Sequence, residues 1–104
     1  MPEKRPRVVF KPEGNMVSSS IQDSAERLEH LMSPLPKELI VDLEGVEVID
    51  STGLSLLIGA HLSVTRAGGS LKVVNCNKEI LELFKSMRLQ RHFSLERGEE
   101  GDRD

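Results

Sequence analysis

Aromatic residues are scarce in this chain. Tryptophan and tyrosine are absent, and three phenylalanines make up the whole aromatic content of 3%. Proteins that bind single-stranded nucleic acids stack bases on aromatic rings, and this chain has few rings to offer. The net charge of -3 also lacks the basic footprint that phosphate backbones require. We therefore expect no nucleic-acid partner.

Cysteines and long apolar runs are equally scarce. Cys76 is the single cysteine, so an intramolecular disulfide is excluded and the composition suits a reducing compartment. No apolar stretch reaches the roughly 18 residues that a membrane span needs. The first residues lack the apolar segment of a signal peptide. These features predict a cytoplasmic protein without membrane insertion.

The sequence has no spacing that is typical of a metal or catalytic site. No two of His30, His61 and His92 are four residues apart, and Cys76 has no second cysteine to join it. A triad of Asp50, Ser51 and His61 is conceivable. However, ten residues along one helix separate the serine and the histidine by about 15 Å. We therefore expect no metal, no cofactor and no enzymatic activity.

The length of 104 residues fits one domain. We assign residues 1–97 to it, with residues 1–6 frayed because they combine two prolines with charge. Residues 98–104 are charged and are expected to be a disordered tail.

Strand composition is found at residues 8–10, 39–43 and 70–74, and residues 91–95 are a candidate edge strand.

Three helices are predicted between these strands. The first covers residues 21–32, where Ser18, Ser19 and Ser20 offer N-cap hydroxyls. The second begins at Ser51 or Thr52 and ends near Arg66. Its sheet-facing side is expected to contain Leu54, Leu57, Ile58, His61 and Thr65, with Leu56 on the solvent side. The third covers residues 78–87, is capped by Asn77, and turns Ile80, Leu81, Phe84 and Met87 inward.

The junction between the second strand and the second helix reads Asp50-Ser51-Thr52-Gly53. These side chains have two possible roles. They can cap the helix by accepting hydrogen bonds from its first N–H groups. Alternatively, they can present a surface hydroxyl at a helix N-terminus, where a negative charge such as phosphate is favoured. Gly53 lacks a Cβ and so permits another backbone to approach this corner closely.

Four segments together resemble the STAS domain, the fold of bacterial anti-sigma factor antagonists. They are residues 39–43 (LIVDL), 46–54 (VEVIDSTGL), 67–75 (AGGSLKVVN) and 83–89 (LFKSMRL). The resemblance implies a single α/β domain. Its sheet is expected to be mixed but mainly parallel, with about four strands and with helices packed against it.

The resemblance also implies a regulatory function. In this family the unphosphorylated antagonist binds an anti-sigma factor that is also a serine kinase of the ATP-binding, histidine-kinase-like type. The kinase phosphorylates the first hydroxyl after the aspartate, here Ser51, with Thr52 as the second choice, and a serine phosphatase reverses the modification. The partner-binding residues expected from this likeness are Asp50, Ser51, Thr52, Gly53, Leu56, Gly14, Asn15, Ser18 and Ser20.

One segment departs from the family pattern. Family members carry Gly-Glu-Leu-Asp before the first helix, whereas this chain has Gly14-Asn15-Met16-Val17 and so lacks both acids. Their absence leaves open whether Ser51 is phosphorylated. It also supports an alternative, a STAS-domain regulatory subunit of a transport ATPase of the lipid-transport type. The sigma factor, the kinase, the phosphatase, the signal and the oligomeric state are not predicted.

Overall fold

A computed structural model describes residues 6–89 and 94–97. The elements alternate between strand and helix. Their order is β1 (Arg7–Phe10), α1 (Ile21–Leu31), β2 (Glu38–Asp42), α2 (Ser51–Arg66), β3 (Ser70–Cys76), α3 (Lys78–Ser86) and β4 (Ser94–Arg97). This is the α/β fold predicted from the sequence. Of the segments expected to be frayed or disordered, residues 1–5 and 98–104 lie outside the described residues. Pro6 is described, and its carbonyl accepts a hydrogen bond from the Lys37 N–H.

The four strands form one sheet in the order β1-β2-β3-β4. Every described pair is parallel, with Val9 opposite Ile40 and Ile40 opposite Lys72. The antiparallel component expected from the sequence is therefore not seen in the described strands. A helix connects each strand to the next and returns the chain to the same end of the sheet, and this connection produces parallel neighbours. The predicted edge strand begins later, at Ser94, and residues 91–93 lie outside the described residues.

The core lies between one face of the sheet and the helices. Leu39, Val41, Leu71 and Val73 alternate along β2 and β3 and are at most 2% exposed, whereas their neighbours Ile40 and Lys72 are half-buried. This alternation follows from the two-residue period of a strand, which places successive side chains on opposite faces. The largest fully buried side chains on the same core are Phe10, Met16, Leu43, Leu57 and Phe84.

The buried stripe of α2 differs from the predicted one. It consists of Gly53, Leu54, Leu57, Ala60 and Val64. Of the other residues expected to face the sheet, Ile58 and His61 are half-buried, and Thr65 is exposed. The sequence prediction followed the largest apolar side chains. The helix instead turns two small residues inward, because Gly53 and Ala60 allow it to lie closer to its neighbours.

The other helix predictions are confirmed in part. Asn77 caps α3 by accepting a hydrogen bond from the Ile80 N–H at 2.8 Å. Met87 was expected inside, but it follows the last residue of α3 and is 48% exposed. Ser20 occupies the N-cap position of α1 without a side-chain cap bond, and its hydroxyl donates to the Asn15 carbonyl at 2.9 Å. The predicted serine cap of α1 is therefore wrong.

Candidate functional site

Asp50 is the N-cap of α2. Its Oδ1 accepts hydrogen bonds from the N–H groups of Thr52 and Gly53 at 2.9 and 3.2 Å. The capping role in the Asp50-Ser51-Thr52 motif thus belongs to the aspartate. Ser51 and Thr52 are the first two residues of the helix, and both are exposed. A hydroxyl on the first turn of α2 is therefore open to another protein.

The second carboxylate oxygen of Asp50 holds the loop that precedes α1. The Ser18 N–H donates to Oδ2 at 2.9 Å. This bond is the largest of the effects that lower the pKa of Asp50 below its ordinary value; the Gly53 and Thr52 N–H groups add to it, and desolvation opposes it. Each N–H favours the charged carboxylate, so Asp50 is ionised at neutral pH.

Met16 joins the same two segments through its backbone. Its N–H donates to the Val48 carbonyl at 3.1 Å, and its carbonyl accepts from the Asp50 N–H at 3.2 Å. These bonds form a parallel bridge between Met16 and Ile49. The loop from Gly14 to Ser20 therefore lies at the same end of the sheet as Ser51, which is the placement that the sequence predicts.

Asn15 is the exposed residue at which the family pattern quoted for the resemblance has glutamate, and its side chain joins two loops of the site. Its Oδ1 accepts hydrogen bonds from the Glu47 and Val48 N–H groups at 2.8 and 3.0 Å. Both amides belong to the segment that leads into Asp50. The neutral amide thus ties the two loops together and leaves no carboxylate at this position.

Gly53 has a role inside the chain. A Cβ at this position would lie 2.3 Å from the Met16 carbonyl oxygen and 2.8 Å from the Met16 Cβ. The close backbone approach expected at Gly53 is therefore made by Met16 of the same chain, and Gly53 is buried. Its contribution to a partner surface would be to set the position of the loop beside Ser51.

Leu56 and Gly14 occupy different surroundings. Leu56 was expected on the solvent side of α2, but it is half-buried against the core and lines a groove between α1 and α2. It faces α1 because the buried stripe of α2 is centred on Leu57 and Ala60. Gly14 is exposed, with no atom within 4 Å of the place where a Cβ would be.

The predicted residues therefore fall into three groups. Ser51, Thr52, Gly14, Ser18 and Ser20 are exposed at the carboxyl edge of the sheet, which is the end where the parallel strands have their carboxyl ends. Asp50, Gly53 and the exposed Asn15 hold the loops in place, and Leu56 lines the groove between α1 and α2. The sequence analysis missed Val48, which is 50% exposed. It stands between the charged Glu47 and the apolar Ile49, and this local pattern does not indicate that it points outward.

The described part of the chain has no group of three or more histidine, cysteine or acidic side chains placed to hold a metal ion. His61 lies half-buried in the middle of α2. Its place on the same helix as Ser51 keeps the two about 15 Å apart at the standard rise.

Within residues 6–89 and 94–97, no helix has the length and apolar character needed to cross a membrane.

The family model of the STAS domain matches residues 1–100. The chain belongs to the STAS domain family. Its similarity to the anti-sigma-B factor antagonist of Bacillus subtilis (strain 168) is 36% identity over 64 residues. That match covers 59% of this chain and 59% of the relative, so the chain matches less than two thirds of the relative's length.

Solved structures share the fold. The anti-sigma factor antagonist SpoIIAA in its unphosphorylated form has a TM-score of 0.70 at 16% identity, covering 98% of this chain and 89% of that one. The STAS domain of the SulP transporter of Vibrio cholerae has a TM-score of 0.71 at 20% identity, covering 97% and 80%. At these identities the likeness concerns the fold alone, and the fold is common to antagonists and transporter domains.

Proposed function

We propose that this protein is an anti-sigma factor antagonist that works by binding and is switched by phosphorylation of Ser51. The observation that carries the proposal is the exposed Ser51 hydroxyl on the first turn of α2, beside a loop held in place by Asp50 and Asn15. The sequence similarity to an anti-sigma-B factor antagonist supports the same function. The protein is the substrate and the switch of the pathway, and it is not an enzyme.

The proposed switch is electrostatic. A phosphoserine adds a charge of about -1.5 to -2. Asp50 already uses the N–H groups of Thr52 and Gly53, so a phosphate on Ser51 is left facing outward beside an ionised carboxylate. A protein that packs over this corner would have to bury both charges, which is unfavourable. The fold survives the modification while the partner is released.

The partner in this proposal is an anti-sigma factor that is also a serine kinase with an ATP-binding, histidine-kinase-like fold, and a serine phosphatase resets the switch. The exposed contacts proposed for it are Ser51, Thr52, Gly14, Ser18 and Ser20. Gly53 and Leu56 support them from behind, and Asp50 and Asn15 hold the loops. The cytoplasm is the compartment in which such a partner acts on transcription.

Phosphorylation is tested by incubating the purified protein with ATP and each kinase-type anti-sigma factor of the same organism. We expect one phosphate per chain, located at Ser51 by mass spectrometry. Ser51→Ala should abolish the modification, and Thr52→Ala, the matched control one residue along, should keep it. Phosphorylation of Thr52 in the Ser51→Ala protein would show that the assignment to Ser51 is wrong by one residue.

Binding is tested with the same anti-sigma factors by calorimetric titration. We expect Ser51→Ala to bind like the parent, because only a hydroxyl is lost, and Ser51→Asp to bind more weakly, because a permanent charge then lies beside Asp50. Aspartate carries less charge than phosphate, so the loss is expected to be partial. Equal binding by both variants and by the parent would refute the switch.

The alternative is a STAS-domain regulatory subunit of a transport ATPase. The observation in its favour is the absence of acids at Asn15 and Val17, where the family pattern has them. It becomes the better proposal if neither Ser51 nor Thr52 is modified and no anti-sigma factor binds. Co-purification of an ATPase and a permease with the full chain would then support it.

A further inference from the structure

A groove of about 420 Å³ lies between α1 and α2. Leu28 and Ala60 are buried at its base. Ala25 and Leu56 line it from opposite helices and are half-buried. The groove is thus apolar inside and open to solvent. Its dimensions suit side chains from another protein better than a small ligand, which would need enclosure.

The exposed residues on the α2 wall of this groove are small. Ser55, Gly59 and Ser63 line it, are exposed, and lie four residues apart. Ser51 is one turn before Ser55 in the same series. A Cβ at Gly59 would meet no atom within 4 Å. A partner helix could therefore approach the α2 backbone closely along a path that ends at the phosphorylation site proposed above.

The groove has one charged residue among the described residues that line it, Glu29, and this side chain is exposed. An apolar groove with a glutamate at its border complements a helix that has an aliphatic stripe and a lysine or arginine beside it.

We propose that the groove between α1 and α2 receives an aliphatic, basic amphipathic helix of the anti-sigma factor. This inference rests on the proposed function, because the same partner contacts Ser51. It also describes how phosphorylation would act, because one end of a helix bound along Ser55, Gly59 and Ser63 would lie close to a phosphate on Ser51. Binding would then depend on the groove as well as on the hydroxyl.

The groove is tested by filling it. Gly59→Leu places a side chain in open space within a helix, where leucine is a better helix former than glycine. Thr65→Leu is the matched control, because Thr65 is exposed on the same helix and does not line the groove. In calorimetric titration with the anti-sigma factor that binds the parent, we expect Gly59→Leu to weaken binding at least about tenfold, as blocked central contacts do. Thr65→Leu should bind like the parent.

The role of the Glu29 charge is tested with a second pair of variants, so that the result does not depend on whether Gly59→Leu folds. Glu29→Lys should weaken binding at low salt, and the loss should shrink at high salt, where charges are screened. Glu82→Lys, at an exposed position on α3, is the control and should have no effect. Both effects together support the groove as the docking site.

Three results would overturn the inference. If Gly59→Leu and Glu29→Lys bind like the parent while Ser51→Asp does not, the groove is wrong and the proposed function stands. If the parent binds no anti-sigma factor, both fail. If sedimentation shows that the parent dimerises and that Gly59→Leu is monomeric, a second copy of the chain occupies the groove instead.

Discussion

The two ends of the sheet, its carboxyl edge and its amino edge, are held together by different mixtures of groups. At the carboxyl edge, several side chains join the loops in addition to the Met16 backbone: Asn15 accepts from Glu47 and Val48, Asp50 accepts from Ser18, and the Asn77 side chain donates to the Glu47 carbonyl at 3.3 Å. At the amino edge, the shorter bonds are between backbone groups. The Lys37 N–H donates to the Pro6 carbonyl at 2.8 Å, and the Ser70 N–H donates to the Lys37 carbonyl at 3.0 Å.

This difference predicts which substitutions each edge tolerates. Backbone bonds need no particular side chain, so the amino edge depends on residue identity mainly at Gly69, where a Cβ would meet backbone atoms. The carboxyl edge depends on particular amides and on a carboxylate. A covalent charge on the exposed Ser51 would lie next to Asp50, whose carboxylate is one of these groups.

The largest expected effect concerns the core that both edges share. Leu57→Ala should lower the free energy of unfolding by about 2–5 kcal/mol, because the side chain is fully buried and leaves a cavity. Leu62→Ala is the control on the same helix. Leu62 is 45% exposed, and its truncation should cost less than about 0.5 kcal/mol. Denaturant unfolding measures both, and equal losses would show that the buried face of α2 is misassigned.

Each edge contains one glycine at a close backbone approach. A Cβ would lie 2.3 Å from the Met16 oxygen at Gly53 and 2.5 Å from the Lys37 oxygen at Gly69. We expect alanine at either position to cost about 1–3 kcal/mol, because backbone must move. Only Gly53→Ala should also weaken partner binding, since it displaces the loop beside Ser51. Equal binding by the two folded variants would contradict the separate roles of the edges.

The caps of the carboxyl edge should have smaller effects. Asn77→Ala removes the cap bond to the Ile80 N–H and the longer bond to the Glu47 carbonyl, and it should cost about 1 kcal/mol of unfolding free energy. Chemical denaturation measures this loss. Asn77→Asp is the control, because it keeps the acceptor at the start of α3 and loses only the bond to Glu47, so it should recover most of the loss. A full loss in the aspartate variant would exclude capping as the reason.

Asp50 provides a pH test of the same edge. Its pKa is lower in the folded chain than in the unfolded chain, so its charge contributes stability above about pH 4, the ordinary value for aspartate. That contribution is lost as the pH falls through the folded-state pKa. Asp50→Asn should therefore be less stable than the parent at pH 7, and the difference should shrink towards pH 3. Unfolding at both pH values checks this, and a constant difference would contradict it.

The smallest effect is expected at the amino edge. The Lys37 ammonium donates to the Gly68 carbonyl at 3.3 Å, and this bond is exposed. Lys37→Ala removes it but keeps both backbone bonds of Lys37, so the unfolding free energy should change by less than about 0.5 kcal/mol. A larger loss in a denaturant melt would show that side chains matter at this edge as well.

Much of the fold was predictable because it depends on local patterns. The start of α2 after Asp50, the cap at Asn77 and the apolar strands β2 and β3 each follow from a few neighbouring residues. The buried stripe of α2 was not predictable in the same way. It includes Gly53 and Ala60, whose burial depends on contacts with distant segments and not on their own hydrophobicity.

The candidate site also combines features that depend on local sequence with features that depend on distant contacts. The exposed Ser51 could be identified from the order of residues 50–54. The role of Asn15 could not, because its partners Glu47 and Val48 are more than thirty residues away in the chain. The groove could not be predicted from the sequence either, because it depends on how α1 and α2 are placed relative to each other. Long-range pairings of this kind leave no local sequence signal.

The central claim is that charge at Ser51 controls docking at the carboxyl edge. The most direct measurement compares the affinity of one anti-sigma factor for the unmodified protein and for protein fully phosphorylated on Ser51. The two forms should have the same unfolding midpoint within error, and the phosphorylated form should bind at least about a hundredfold more weakly, a difference near 2.7 kcal/mol. Equal affinities for two folded forms would contradict the account.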